Sequence, residues 1–243
     1  MIKPAAKILL SITAICLASR FFLFVPNTLG LLNIGEIVFF TAALLLNPLS
    51  GTIVGAAGFL LADLLLGYPH YIYASVTAKA LTGFVVSLIN RHSPKKPLLY
   101  LMQSLLLTVL FASSGVLIYS GTAYFGYVEK LSLGEAVMEH GGVQAYSAYL
   151  PAWLWIMLSL TLILCLYAGS GRRWSGLAIL AGAIITSLIY LLYETLILPV
   201  FFGINVDARA NALLNLGQAV ISGSMAIIFI KTAGFLKQLW LRL

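Results

Sequence analysis

The sequence predicts an all-α fold, a polytopic membrane bundle of about eight transmembrane helices forming a single membrane domain over residues 1–243. Hydrophobic residues make up 61% of the chain, charged residues only 9%, and the mean hydropathy is +1.03. A soluble domain carries roughly 25% charged residues, so this chain has too few charges to cover a soluble surface of its size. Long apolar runs recur along the chain, and a helical span needs about 20 apolar residues.

Apolar stretches bounded by polar, proline or glycine residues define the predicted spans in order. Asn47-Pro48 divides the second span from the third, because this dipeptide interrupts helix and marks a turn. The second span has about 17 residues, or ~26 Å of helix, which is at the lower limit for crossing. The predicted spans are residues 4–25, 30–46, 49–66, 72–90, 98–120, 150–168, 175–200 and 208–231.

The first span allows two interpretations. Lys3 and Lys7 precede an apolar run that begins at Ile8, as in a secretory signal peptide. The run continues through Phe21–Val25, which favours a retained helix, with a cleaved signal as the alternative. Cys16 lies inside this run, as Cys165 lies inside another, so the sequence supports neither a disulfide nor a thiolate metal site.

Basic residues indicate the orientation, because Lys and Arg concentrate in cytoplasmic loops. With both termini in the cytoplasm, eight crossings place every basic cluster on the inner side. The net charge of +7 is then explained by topology, and no nucleic-acid partner is predicted. The basic residues assigned to the inner side are Lys3, Lys7, Arg91, Lys95, Lys96, Arg172, Arg173, Lys231, Lys237 and Arg242.

The longest predicted outer segment is residues 121–149, which holds three glutamates and one lysine. A short helix is predicted over Leu131 to His140, ended by Gly141-Gly142. This segment is either a connector on the membrane surface or a lid over the outer face.

Seven polar or charged side chains fall inside the predicted spans, where they are costly and usually mark function. At 1.5 Å per residue, six of them lie about 5–10 Å from the outer end of their span, and the seventh lies one turn deeper. They come from six helices that run in both directions, which chance placement seldom produces. We therefore expect a polar cavity that is open to the outside and closed toward the cytoplasm. The residues are Arg20, Glu36, Asp63, Lys79, Glu194, Asn215 and Gln218.

Single members of this set also have structural explanations. Lys79 has a long stem that lets its charge reach the headgroups. Asp63 and Lys79 lie at similar depth on successive antiparallel helices and are a candidate structural ion pair. Taken together, the set favours a ligand cavity lined by Glu36, Lys79, Glu194 and Asn215.

Aromatic side chains crowd the same side of the membrane. Tyr68, His70 and Tyr73 lie in or near the outer turn that separates the third and fourth spans. Interfacial belts often contain Tyr, but aromatic walls with a few polar groups also suit a flat heterocycle. His70 is a candidate ligand contact and not a metal ligand, because His92 and His140 lie elsewhere.

Enzymatic motifs are absent from the sequence. It contains no HExxH, GxSxG or CxxC motif, no Walker A sequence and no glycine-rich dinucleotide fingerprint. We therefore predict that the chain is not an enzyme, binds no cofactor or metal, and cannot hydrolyse ATP unaided.

A family resemblance lies in residues 35–90 and in the last helix pair. The last pair holds Tyr193-Glu194 followed by Asn211 to Gln218. The matching sequences in the first region are Gly35-Glu36-Ile37, Ala42-Ala43-Leu44-Leu45, Asn47-Pro48, Gly51 to Gly58, Ala62-Asp63, Gly67-Tyr68-Pro69-His70 and Lys79-Ala80-Leu81-Thr82-Gly83-Phe84. Together these sequences resemble the substrate-binding S component of energy-coupling factor (ECF) transporters.

The resemblance covers residues 1–90 and 175–235, which would form an S-component-like core. It implies a vitamin or related micronutrient bound with high affinity, and a bacterial plasma membrane as the location. It also implies as partners a transmembrane coupling subunit and two ATPase subunits. Ala14 and Ala18 resemble the AxxxA pattern by which S components dock on the coupling subunit. The usual S component has six helices, so the hairpin over 98–168, with its outer loop 121–149, is predicted to be an insertion.

Two other functions remain open at this point. A stand-alone secondary carrier would use Glu36 or Glu194 to take a proton, although the sequence shows no inverted repeat of the kind such carriers use. An intramembrane enzyme or assembly factor would need a nucleophile, metal ligands or a large cytoplasmic face. Under the favoured interpretation the predicted substrate-binding residues are Glu36, Tyr68, His70, Tyr73, Lys79, Glu194, Asn215 and Gln218.

Overall fold

A computed structural model describes residues 4–26, 30–127, 146–168 and 173–240 of the chain. Its helices are α1 (Pro4–Ala18), α2 (Ile34–Leu45), α3 (Pro48–Leu66), α4 (Ile72–Asn90), α5 (Pro97–Ile118), α6 (Ala152–Ala168), α7 (Ser175–Leu192), α8 (Leu198–Phe202) and α9 (Ala208–Trp240). A 3-10 turn over Pro69–Tyr71 leads into α4, and a π-helical segment over Tyr193–Ile197 joins α7 to α8. The fold is thus mostly helical, as the sequence predicts.

Among the described residues, five helical segments are long and apolar enough to cross a bilayer, which makes this a multi-pass membrane protein. Three further apolar helices have only 10–17 residues, namely Pro4–Ala18, Ile34–Leu45 and Ala152–Tyr167. The count of eight transmembrane helices therefore stays a prediction. The five long segments are Pro48–Leu66, Pro69–Asn90, Pro97–Ile118, Ser175–Phe202 and Ala208–Gly234.

Local sequence sets the ends of α2 and α3. The Asn47 side chain accepts a hydrogen bond from the Ser50 amide at 2.8 Å, and Pro48 occupies the first turn of α3. Gly67 ends α3 in the left-handed conformation, with φ 81°, which favours glycine. Asn33 caps α2 in the same way as Asn47 caps α3. The break predicted at Asn47-Pro48 is therefore present.

A small antiparallel sheet corrects the all-α prediction. Its strands β1 (Phe21–Val25), β2 (Gly30–Asn33), β3 (Gly121–Tyr127) and β4 (Tyr146–Leu150) lie in the order β2-β1-β3-β4. The predicted first span, 4–25, ends as a helix at Ala18, and the second begins as a helix at Ile34. Apolarity alone does not separate a short helix from a strand. Here β1 pairs with β3, about a hundred residues away in sequence, and this pairing provides hydrogen-bond partners for backbone groups of β1.

The alternating direction of the helices gathers particular connections at each end of the bundle. One end holds the four strands, the turn at Gly67–Tyr71 and the loop 203–207, and we call it the sheet end. At the opposite end, Asn90 donates to the Leu44 carbonyl at 2.8 Å and accepts from Ser175 at 2.7 Å. These bonds tie α2, α4 and α7 together, so side chains close the bundle at this end.

Helices α5 and α6 pack against each other and against α9. A side chain at Gly115 of α5 would collide with the Trp155 ring of α6, so glycine permits this close approach. The strands that follow α5 and precede α6 extend the sheet begun by β1 and β2. The helix predicted over Leu131 to His140 lies outside the described residues.

Candidate functional site

Glu36 and Lys79 form a buried ion pair in the sheet-end half of the bundle. Glu36 lies in the first turn of α2 and Lys79 lies on α4, and their exposed fractions are 3% and 2%. The Lys79 ammonium contacts Glu36 Oε1. A buried charge carries a desolvation cost of several kcal/mol, so neither residue is stable here without its partner.

Three aromatic rings surround the Lys79 ammonium. Its Nζ lies 5.0 Å from the ring centre of Phe59, 5.8 Å from that of Tyr190 and 5.9 Å from that of Phe39. A cation within about 6 Å of a ring face is attracted to it. The ammonium is thus held by one carboxylate oxygen and by rings from α2, α3 and α7.

Asp63 lies close to this pair but does not join it. The Ser75 hydroxyl interacts with the Asp63 carboxylate and hydrogen bonds with the Tyr190 hydroxyl at 2.7 Å. The ion pair that the structure records for Lys79 is with Glu36, whereas the sequence prediction paired Lys79 with Asp63. Helix α2 packs on α4 as α3 does, and adjacency along the chain does not tell which helix supplies the partner.

Two acceptor atoms in this cluster are unsatisfied. Among the described residues, neither Glu36 Oε2 nor Asp63 Oδ2 has a hydrogen-bond partner, and both atoms are buried. An unpaired buried acceptor costs about 1–3 kcal/mol, and more when it is charged. Such orphaned atoms call for an explanation, and a bound molecule with hydrogen-bond donors supplies one.

Glu194 forms a second polar contact centre, in the π-helical segment after α7. Its exposed fraction is 4%, and it accepts hydrogen bonds from the Tyr71 hydroxyl at 3.3 Å and from the Asn211 side-chain Nδ2 at 3.1 Å. Asn215 and Gln218 follow Asn211 at intervals of four and seven residues, which places them on the same face of α9. Both are half-buried. π-helical turns often occur at functional sites.

Of the predicted aromatic residues in and just after the turn before α4, Tyr68 and His70 pack against other rings and Tyr73 is exposed. His70 packs with Tyr71 and Phe202, at ring separations of 5.0 and 6.2 Å, and Tyr68 packs on Phe22 of β1. Tyr73, in the first turn of α4, has 69% of its surface exposed, so most of its side chain faces away from the bundle interior.

Tyr68 lies between two membrane-spanning segments, beside Asp63. Burial raises the pKa of the Tyr68 phenol above its ordinary value, and the Asp63 charge adds to this rise. The phenol therefore remains protonated at neutral pH and can donate a hydrogen bond.

A cavity of about 310 Å³ opens at the sheet end beside Glu194. This volume is at the lower limit of known small-molecule sites. Its lining residues are Glu194, Thr195, Pro199, Asn205, Val206, Asp207, Ala208 and Arg209. In the part of the chain that the structure describes, no three His, Cys, Asp or Glu side chains are grouped to hold a metal ion.

Sequence reasoning missed several contacts of the two centres. Tyr71 and Asn211 hold Glu194, and the Phe39 and Phe59 rings face Lys79. Glu36 and Phe39 lie one helical turn apart, and this spacing could have indicated that Phe39 faces the same site as Glu36.

The remaining predicted residues lie on or after α1. Arg20 lies two residues after the end of α1 and is half-buried, so the depth estimated for it from a continuous first span does not apply. Ala14 and Ala18 are half-buried on a helix whose Leu10 and Leu17 are exposed. Docking at these two alanines stays a prediction.

A comparison with known protein families bears on this arrangement. Residues 8–169 match the family described as ECF-type riboflavin transporter, S component, and this range is about two thirds of the chain. The chain belongs to this family. No curated protein matches this S component, and no solved structure does.

The family match confirms the resemblance found in the sequence, and it extends through residues 98–168. That hairpin of the S component was predicted as an insertion, and the prediction remains. The two polar centres lie partly inside the matched range, with Glu36, Asp63 and Lys79, and partly beyond it, with Glu194 and Asn211.

Proposed function

We propose that this S component captures a vitamin or related micronutrient with high affinity at the outer face of a bacterial plasma membrane, for ATP-driven uptake. The observation that carries the proposal is the buried Glu36–Lys79 pair, with one carboxylate oxygen left without a partner among the described residues. A pair that served packing alone would be expected to satisfy all its polar atoms. A ligand that donates a hydrogen bond to this oxygen would offset the desolvation cost of the buried pair and would explain why the pair is present.

The walls of the cluster favour a flat heterocyclic ligand. Phe39, Phe59 and Tyr190 supply ring surfaces, and Glu36 and Lys79 supply polar contacts. Small-molecule sites typically combine an apolar or aromatic lining with a few placed polar groups. Riboflavin is the vitamin in the family's description, so it is the first ligand to test.

The distribution of basic residues supports an orientation with the sheet end outside. Arg91, Lys95, Lys96 and Arg173 all lie at the end of the bundle opposite the sheet. Basic residues near span ends mark the cytoplasmic side. The sheet end would then face the outside, and both termini would lie in the cytoplasm.

Energy for uptake would come from partner proteins. As an S component, the chain would work with a transmembrane coupling subunit and two ATPase subunits. The AxxxA pattern of Ala14 and Ala18 on α1 is the proposed docking contact. Leucine at both positions would then block uptake and leave ligand binding by the isolated chain unchanged.

Uptake of labelled riboflavin tests the function directly. Cells expressing this chain alone should bind the vitamin without accumulating it, whereas coexpression with the coupling and ATPase subunits should give accumulation. A matched control carries ATPase subunits whose Walker A lysine is replaced, which should reduce uptake to that of the chain alone. Mass spectrometry of the molecule retained by the purified chain identifies the nutrient if it is not riboflavin. Proton-dependent uptake by the lone chain would contradict the proposal and favour a secondary carrier.

A further inference from the structure

The polar cluster at the sheet end has more negative than positive groups. Glu36 and Asp63 bring two carboxylates, and Lys79 is the cation that contacts Glu36 and whose charge acts on Asp63. The Lys79 ammonium is already enclosed by Glu36 Oε1 and the rings of Phe59 and Tyr190. Its positive charge is therefore already paired with one of the two carboxylates.

The unsatisfied atoms of the cluster are acceptors. Glu36 Oε2 and Asp63 Oδ2 are both buried, and neither has a partner within the described part of the chain. Ionised carboxylates accept hydrogen bonds and donate none. A molecule that satisfies them has to present N–H or O–H donors, and a positively charged donor forms the shorter and stronger bond.

We infer that the ligand of this site carries a cationic or donor-rich nitrogen group, such as an amine, an amidine or an amino-substituted ring edge, which binds Glu36 Oε2 and Asp63 Oδ2. This inference rests on the proposed function, because it assigns the ligand class of the same site. The aromatic rings around Lys79 accommodate the flat part of such a molecule. Glu36 has an exposed fraction of only 3%, so the ligand must displace the side chains that cover its free oxygen.

Two small probes of equal shape test the ligand class. Benzamidine and benzamide are both planar, but benzamidine is a cation with donors on both nitrogens, and benzamide is neutral. Binding to the purified full chain in detergent is measured by isothermal titration and by the shift in melting temperature. Benzamidine should bind at least about tenfold more tightly than benzamide, since a hydrogen bond to a charged group carries about that factor or more.

Asp63→Asn assigns the effect to the site, because it removes the charge and keeps the side-chain volume. The affinity for benzamidine should fall roughly 10- to 100-fold in this variant, with little change for benzamide. Lys96→Gln is the control, because it also changes the net charge by one unit but lies exposed at the opposite end of the bundle, so the affinity for benzamidine should stay the same. The melting temperature of each variant without probe shows that the fold is retained.

Several results would overturn the inference. They are equal binding of the two probes, unchanged benzamidine affinity in Asp63→Asn, or a change of equal size in Lys96→Gln, which would indicate a long-range charge effect. Tight binding of riboflavin that Asp63→Asn does not alter would also overturn it, while leaving the proposed nutrient capture intact. ATP-independent uptake by the lone chain would instead contradict the proposed function.

Discussion

The buried pair of Glu36 and Lys79 has an energetic consequence at the level of single residues. Replacing a buried ion pair by apolar groups is often neutral for stability, whereas removing one partner leaves a buried charge uncompensated. Lys79 also contacts aromatic rings, which would remain in place around an apolar side chain. Stability and ligand binding can therefore be separated by choosing the right pair of variants.

Lys79→Ala should lower the free energy of unfolding by about 3–5 kcal/mol and weaken ligand binding, with membrane insertion intact. Glu36→Gln combined with Lys79→Met should recover most of the stability, because neither buried charge remains. The double variant should still fail to bind the retained nutrient. Thermal unfolding in detergent and ligand titration measure the two effects. Restored binding in the double variant, or unchanged affinity in Lys79→Ala, would show that the pair is structural.

At the scale of secondary-structure elements, the α5–α6 hairpin supports the position of α2. The Trp155 indole donates to the Tyr119 carbonyl at 3.1 Å, and the Tyr119 hydroxyl donates to the Leu31 carbonyl at 3.0 Å. Leu31 lies in β2, which leads directly into α2 and Glu36. Burial raises the pKa of Tyr119, so its hydroxyl remains protonated and continues to donate.

Tyr119→Phe should weaken ligand binding roughly 3- to 10-fold, because it leaves the Leu31 carbonyl unpaired at a cost of about 1–3 kcal/mol and loosens the start of α2. Tyr100→Phe is the matched control, since Tyr100 donates to the Leu166 carbonyl at the opposite end of the bundle. Both variants should lose similar stability, measured by thermal unfolding, but only Tyr119→Phe should lose affinity. An equal loss of affinity in both would mean that the hairpin acts through general stability alone.

Helices α3 and α4 approach closely at glycines, and one of these glycines lies against the site. A Cβ at Gly55 would collide with the backbone carbonyl of Lys79. Gly55→Ala should therefore push α4 away from α3, cost about 1–3 kcal/mol of stability and lower ligand affinity. Gly234→Ala is the control, because no described atom lies within 4 Å of its added Cβ. Unfolding and ligand titration of both variants check this, and wild-type affinity in Gly55→Ala would contradict it.

Some secondary-structure elements could be predicted from the sequence, and others could not. The break at Asn47-Pro48 and both ends of α3 follow from local signals, namely an Asn cap, a proline and Gly67. The strand Phe21–Val25 does not, because its apolar residues also continue a helical run and its partner β3 lies far along the chain. The sequence indicated that the charged residues lie at one depth in the membrane. It did not show that Lys79 pairs with Glu36, because the two residues come from helices that are not successive along the chain.

At the scale of the whole molecule, the two ends of the bundle have opposite character. The sheet end holds the unsatisfied carboxylate oxygens and the cavity beside Glu194. The opposite end is tied by bonds such as those of Asn90, and the basic segment at residues 91–96 lies there. This asymmetry suits capture from one side, provided that the sheet end faces the outside.

Single cysteines test this orientation in intact cells. Asn205→Cys lies in an exposed loop at the sheet end, and Ser93→Cys lies in an exposed loop at the opposite end. A membrane-impermeant maleimide should label Asn205→Cys in intact cells and should label Ser93→Cys only after permeabilisation, because basic loops stay in the cytoplasm. The unmodified chain, with Cys16 buried and Cys165 half-buried, gives the background. Labelling of Ser93→Cys alone in intact cells would place the polar centres on the cytoplasmic side, where they could not capture an external nutrient.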